Sequence, residues 1–330
     1  MTAVYLVHNR PRDNNCFDDF VERVGPAARD QGVDLRYVYW ESPWRAEPGD
    51  LVACCLQDPI GPKKRAVIHH HVASGTRVLN HYNFINNALR ETAYPTWAAH
   101  GLPCPAAPQA FFEGALPPFP FIVKETGKQM GRGFLINSER RLQWLLTKSK
   151  RFRRDRFRVL KYHDIRTPDG YHTLHRYLVC GDQVKPVVFA KTKNWCCKAS
   201  HMVRDVKRWD AAQRQRYRDE LEAFWASTPS PQIVQSVRLL GLDFALVDTS
   251  IQKDGTPFFW EVNPYANLRP AEATGKPEVW WPMFARLLGV HLPVGLLDSQ
   301  AYLDNLLSWQ GYKLHWRARL DQARISAEGA

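Results

Sequence analysis

Two carboxylates and an amide that could share a cation lie in the stretch LDFALVDTSIQKDGTPFFWEVNPYANL, residues 242–268. Asp254-Gly255 reads as a two-residue hairpin turn, the strongest short-range hairpin signal. Asp248 then lies six residues before the turn and Glu261 six after it, so the acids face each other across paired strands. Side chains alternate along a strand, which puts Leu246, Asp248 and Ser250 on one face with Phe259, Glu261 and Asn263. Ala245, Val247, Ile251, Trp260 and Val262 make the other face, apolar and suited to a core. Like charges directly opposite destabilise a sheet, unless a cation sits between them. Two carboxylates and an amide oxygen form a hard oxygen set, the kind Mg²⁺ takes while holding nucleotide phosphates. The alternative is a surface hairpin with two solvated acids, and the remaining elements have to decide.

A chain of 330 residues can bury a sizeable core and divide into two or three lobes. With 45% hydrophobic and 24% charged residues it has the composition of a globular protein, neither disordered nor fibrous. No run of eighteen apolar residues occurs, so no membrane span is expected. The opening MTAVYLVHNR lacks the basic and apolar regions of a signal peptide, which points to the cytosol. Seven cysteines, two adjacent pairs among them and no CxxC, argue for reduced thiols rather than a disulfide framework or structural zinc. The net charge of +12 calls for an anionic partner: nucleotide, acidic peptide, polyphosphate or nucleic acid.

Residues 1–107 alternate strand and helix: AVYLV, the helix DDFVERVGPAARDQG, then DLRYVYW, DLVACCL and RVLN, an order that argues for a partly parallel sheet. The run His69-His70-His71 has no acidic or cysteine neighbour to complete a metal site. Pro103, Pro105 and Pro108 mark the exit into a second lobe, 108–163. It opens with FPFIVKETGKQMGRGFLI, two strands around a loop holding Gly127, Gly131 and Gly133. The loop fits neither a Walker nor a Rossmann pattern, yet backbone amides in such a concavity can bind anions. The helix SERRLQWLLTK follows, with Ser138 as N-cap and Leu142, Leu145 and Leu146 inward. KSKRFRRDRFR, 148–158, is a basic run with Phe152 and Phe157 interleaved, either a solvated face or a nucleic-acid platform. In 164–295, YHTLHRYLVCGDQVKPVVFAK reads as a hairpin turning at Gly181-Asp182, and AAQRQRYRDELEAFWA as an amphipathic helix with Tyr217, Leu221, Phe224 and Trp225 on one face. The tail 296–330 is helical by pattern.

A glycine loop, a hairpin with a central arginine, then Asp…Glu-x-Asn: this order resembles the ATP-grasp superfamily, in particular its carboxylate–amine ligases of the ribosomal-protein glutamate ligase and glutathione synthetase type. The segments that carry it are GLDFALVD…FFWEVNP (241–264), HRYLVCGDQV (175–184), PFIVKETGKQMGRG (120–133) and RVLN…LRETAYPTWAAHGLPCP (77–105). The resemblance implies an α/β fold with α+β lobes: an N-terminal α/β lobe ahead of an ATP-grasp lid and a C-terminal subdomain. It implies that Asp248, Glu261 and Asn263 hold Mg²⁺, or Mn²⁺, and that Lys124 contacts nucleotide phosphate. It makes the loop with Gly127, Gly131 and Gly133 the flap over the phosphates, and Lys161, Tyr162, His163 and Asp164 the hinge that meets adenine. Arg176 matches the arginine near the transferred phosphoryl group, and Arg90 stands where a lysine is usual. Lys191, Lys198 and Arg269 are left as substrate contacts.

Besides Arg90, further departures bear on the substrate: Leu174 replaces an acid two before the hairpin arginine, Tyr265-Ala266-Asn267 replaces a Pro-Gly turn, and the usual arginine and asparagine are not evident in KTKNWCCKAS, where Lys191, Lys193 or Lys198 could substitute. The expected reaction is ATP-dependent amide formation through an acyl phosphate, joining an acidic or peptide carboxylate to an amine and releasing ADP and phosphate. The alternatives are an inositol-phosphate kinase type of ATP-grasp enzyme and a non-catalytic nucleic-acid-binding protein using 148–158.

Overall fold

The computed structural model describes residues 1–9, 17–110, 116–125, 133–148, 157–197, 199–265 and 277–292. Gly127, Gly131, Lys198, Arg269, most of the basic run and the whole tail 296–330 lie outside these residues.

The first lobe is a parallel sheet. Strands β1 (Thr2–His8), β2 (Val33–Tyr39), β3 (Leu51–Cys54) and β4 (Arg77–Leu79) lie in the order β2-β1-β3-β4, every pair parallel. Helices α1 (Phe17–Asp30) and α2 (Pro62–His71) make the crossovers. A parallel sheet is covered on both faces, and β1 shows it. Val4 and Leu6 pack in one apolar cluster with Phe20, Val24 and Ala28 of α1, spaced to share one helical stripe. Ala3, Tyr5 and Val7 pack in another with Trp40, Trp44 and Ile68 of α2.

A short 3-10 turn, Ile85–Ala88, leads into α3 (Arg90–Ala99). The second lobe is an antiparallel sheet in the order β5-β8-β6-β7, built of β5 (Gln109–Ala110), β6 (Phe121–Glu125), β7 (Gly133–Ile136) and β8 (Phe157–Lys161). Helix α4 (Glu139–Lys148) buries Leu142 and Leu145 against it, and the Ser138 hydroxyl accepts from Arg141 N at 3.3 Å.

The third sheet carries the acids. Strands β9 (His172–Cys180), β10 (Gln183–Thr192), β11 (Phe244–Ile251) and β12 (Pro257–Asn263) are antiparallel in the order β10-β9-β11-β12. Helices α5 (Ala199–Val206), α6 (Ala211–Ala226) and α7 (Pro231–Arg238) lie between β10 and β11 in the chain, and α8 (Pro277–Leu287) follows β12. Asp210 and Gln213 cap α6 reciprocally, and Ser230 with Pro231 starts α7. Tyr177, Val179, Phe189, Val247 and Phe259 make the apolar side of this sheet under α6, α7 and α3. At one end of the other side, Leu178, Phe244 and Leu246 join Val4 and Leu6 of the first lobe and Phe284 of α8 in one shared core.

Asn80, just past β4, fastens that join. Its Oδ1 accepts from Asp243 N (2.8 Å) and Phe244 N (3.1 Å), its Nδ2 donates to Phe244 O (2.8 Å) and Pro264 O (3.0 Å), and its own N–H donates to the Asp243 carboxylate (2.6 Å). It is fully buried with φ at 47°, a conformation asparagine tolerates better than most residues. Asn80→Ala strands buried backbone donors and acceptors at both ends of the hairpin, so a loss of about 3–5 kcal/mol is expected in urea unfolding. A loss under about 1 kcal/mol would show the join to be held elsewhere.

Candidate active site

Asp248 lies directly opposite Glu261 in the β11/β12 register, and directly opposite Arg176 in the β9/β11 register. That pairing arises differently from the simple two-residue turn. Gln252 N donates to Thr256 O at 2.9 Å, so the loop spans three residues, Lys253 to Gly255. Gly255 has φ +84°, which its missing Cβ permits. The three-residue loop shifts the register by one, pairing Thr249 with Phe259; a bulge at Trp260 shifts it back, pairing Asp248 with Glu261. Phe259 and Trp260 therefore exchange the faces that strict alternation assigned them. Phe259 is fully buried beside Val247 and Trp97, whereas the Trp260 indole donates to Ser250 Oγ at 2.8 Å.

Each acid is met by an arginine. Arg176 Nε and its terminal nitrogen donate to the two Asp248 oxygens at 2.6 and 2.8 Å, a fork-to-fork pair. Arg90, the first residue of α3, reaches Glu261 Oε2 at 2.6 Å. Burial pulls both guanidinium pKa values down, but the facing carboxylates outweigh it and hold both above the ordinary value. Two carboxylates and two guanidinium groups sum to zero charge, so the set is satisfied with no further ion. Asn263 continues the Asp248 face two residues beyond Glu261. The donors are hard oxygens, one amide and two carboxylates, and this chemistry fits Mg²⁺ or Mn²⁺.

The segment 161–164 reaches the same sheet. Lys161 ends β8 and Tyr162 packs against the core of the third sheet. The His163 ring lies 4.9 Å from Phe258, which is paired opposite Ser250 on the acids' side of β11, and Asp164 is tied to Arg166 by two short bonds. His163 Nε2 is buried with no hydrogen-bond partner among the described residues. Burial, then the charge of Lys161, lowers its pKa. Lys124 pairs in register with Gly133 at the start of β7. A Cβ at Gly133 would stand 3.1 Å from the Trp195 ring, so the loop after β10 closes on the base of the glycine-rich segment.

Lys191 is placed apart from this group. It is buried on the opposite side of the sheet, bonded to Glu220 of α6 at 2.8 Å and to Asp169 at 2.9 Å, and so is neither a solvated surface lysine nor on the acids' face. A cavity of about 980 Å³ opens on that side, lined by Lys191, Glu220, His175 and Phe224 and by none of the acids' own set. Burial lowers the His175 pKa from 6.5 to about 4. The unfolded chain therefore takes a proton before the folded one, and stability falls as pH drops from 6.5 toward 4. Two and a half units correspond to on the order of 3 kcal/mol. His175→Leu is expected to flatten that part of the pH–stability curve; an unchanged slope would show that the ring is solvated.

Sequence reasoning missed Tyr94, Asn80 and the Trp260 bulge. Tyr94 had one usable signal, its place one helical turn after Arg90. The six described cysteines are free thiols, and no described helix is long and apolar enough to cross a membrane.

No family model matches the chain, and no curated protein matches it in sequence. Solved structures do. It is similar to macrocyclase MdnC bound with precursor peptide MdnA from Microcystis aeruginosa MRC (12% identity, TM-score 0.54, covering 87% of this chain and 99% of that one). It is similar to the D-alanine–D-alanine ligase of Bacillus anthracis complexed with ATP (11%, 0.50, 96% and 99%), and to the ATP-grasp ligase PsnB complexed with minimal precursor, Mg and ADP (14%, 0.50, 86% and 97%). At such low identity the likeness is one of architecture: this chain has the ATP-grasp fold.

Proposed function

We propose that the chain is an ATP-dependent carboxylate–amine ligase acting through an acyl phosphate. The observation that carries the reading is the acid pair Asp248–Glu261, aligned across β11 and β12 with an arginine on each acid. Solved proteins of this fold bound to ATP, to Mg and ADP, and to a precursor peptide support the same class.

A carboxylate does not yield to an amine because oxide is a poor leaving group. Attack of a carboxylate oxygen on the γ-phosphorus of ATP breaks the bond to the bridging oxygen, releases ADP and leaves a mixed anhydride. The amine then attacks the acyl carbon, phosphate departs with the electron pair, and the nitrogen gives its extra proton to solvent. The protein's share is positioning and charge neutralisation. Asp248, Glu261 and Asn263 would hold the magnesium, which when bound screens phosphate charge. Arg176, Arg90 and Lys124 bind phosphate oxygens and offset the charge in transfer. The Gly127–Gly133 segment and Trp195 exclude water from the anhydride.

The test is an ADP-release screen of carboxylates crossed with amines, peptides included, with products weighed. A product lighter by one water than its two substrates together supports the reading. Phosphorylation of a hydroxyl acceptor as the sole product would replace it with a kinase.

A further inference from the structure

Strand β12 is the edge of its sheet, so its outward backbone groups need partners from elsewhere. Phe259 N donates to Pro103 O at 2.8 Å, and Trp260 O accepts from the Tyr94 hydroxyl at 2.7 Å. Trp260 is the bulged residue, the one whose insertion returns Glu261 to its place opposite Asp248. Tyr94 is buried, 2% exposed, and packs with Trp97 at 6.0 Å, so its ring has one place to sit. The same hydroxyl also engages the Arg90 guanidinium, one turn earlier on α3, which in turn holds Glu261. One oxygen thus touches both the backbone that aims Glu261 and the cation that pairs with it.

We propose that Tyr94 is a positioning residue that pins the Trp260 bulge and so sets Glu261 across from Asp248 as a cation ligand. The proposal rests on the reading of this acid pair as a magnesium–nucleotide site. Without the hydroxyl the bulge can migrate by one position, and a one-residue slip sends the Glu261 side chain to the other face. Tyr94 acts through the bulge and through Arg90.

Tyr94→Phe removes a single oxygen and leaves the ring packing intact. Tyr217→Phe is the matched control, since the Tyr217 hydroxyl is equally buried and donates to another strand carbonyl, Phe189 O, at 2.8 Å. Both proteins are titrated with MgCl₂ at fixed concentration of a non-hydrolysable ATP analogue, and nucleotide binding is followed by calorimetry. For Tyr94→Phe the half-saturating magnesium concentration is expected to rise at least about tenfold, the size seen when groups supporting a metal ligand are lost. For Tyr217→Phe it is expected to stay at the wild-type value, although both variants melt lower. An equal magnesium response in the two variants overturns the proposal while leaving the site reading in place. Wild-type binding of the analogue that ignores magnesium overturns the site reading, and the proposal with it.

Discussion

Glu261→Gln is expected to lower ADP release by about a thousandfold while the chain remains folded. Glutamine keeps the shape of the side chain and an oxygen that can accept from Arg90, so the contact at the N-terminus of α3 survives. What disappears is one full negative charge from a set of two. The Glu261 side chain is 19% exposed and Arg90 is 16% exposed, so neither can be replaced by solvent without rearrangement. A thermal melt within a few degrees of wild type, together with lost turnover, separates chemistry from folding. Full turnover in this variant would remove Glu261 from the site.

Arg176→Ala is expected to have the larger effect on stability. Asp248 is nearly buried, with its side chain 8% exposed, and both of its oxygens are taken by Arg176. Deleting the guanidinium leaves a buried carboxylate without a counter-charge, which costs about 3–5 kcal/mol. Because the donor set suits a divalent cation, magnesium with nucleotide should restore part of that loss. Urea unfolding with and without both ligands measures it. Arg176→Lys should fall between, since a lysine replaces the charge but not the fork. Equal unfolding curves for Arg176→Ala and wild type would show that the Arg176–Asp248 pair is solvated and contributes little.

Much of the arrangement was legible because the hairpin wrote it locally. The Gly181-Asp182 turn is the two-residue turn read from the sequence, with Gly181 at φ +59°, and it sets β9 against β10 as expected. The apolar stripe of α6 appears as read, with Tyr217, Leu221 and Phe224 buried. The Asp248–Glu261 pairing was reached through two compensating departures: a loop one residue longer than Asp254-Gly255 alone, and a bulge one residue long at Trp260. A bulge leaves no mark in a single sequence, and the hydrogen bond its carbonyl accepts here comes from Tyr94, 166 positions away. The same holds for Asn80, whose partners at 243, 244 and 264 belong to another lobe. The pairing of Lys191 was hidden for a related reason. Nothing near it in sequence says that Glu220 will arrive on α6 to pair with it, and without a partner a lysine belongs at the surface. Alternation and turn chemistry are local and can be read off; long-range hydrogen bonds and ion pairs cannot.

The assignment of a divalent cation to the paired acids is tested most directly by manganese. Titrating Mn²⁺ into the protein with a non-hydrolysable ATP analogue, and following the free-ion signal by electron paramagnetic resonance, counts bound metal without any turnover. Wild type is expected to bind Mn²⁺ far more tightly with the analogue than without it. Asp248→Asn and Glu261→Gln should each weaken that binding by about 10–100-fold. Undiminished manganese binding in both variants would contradict the assignment of the metal to this pair.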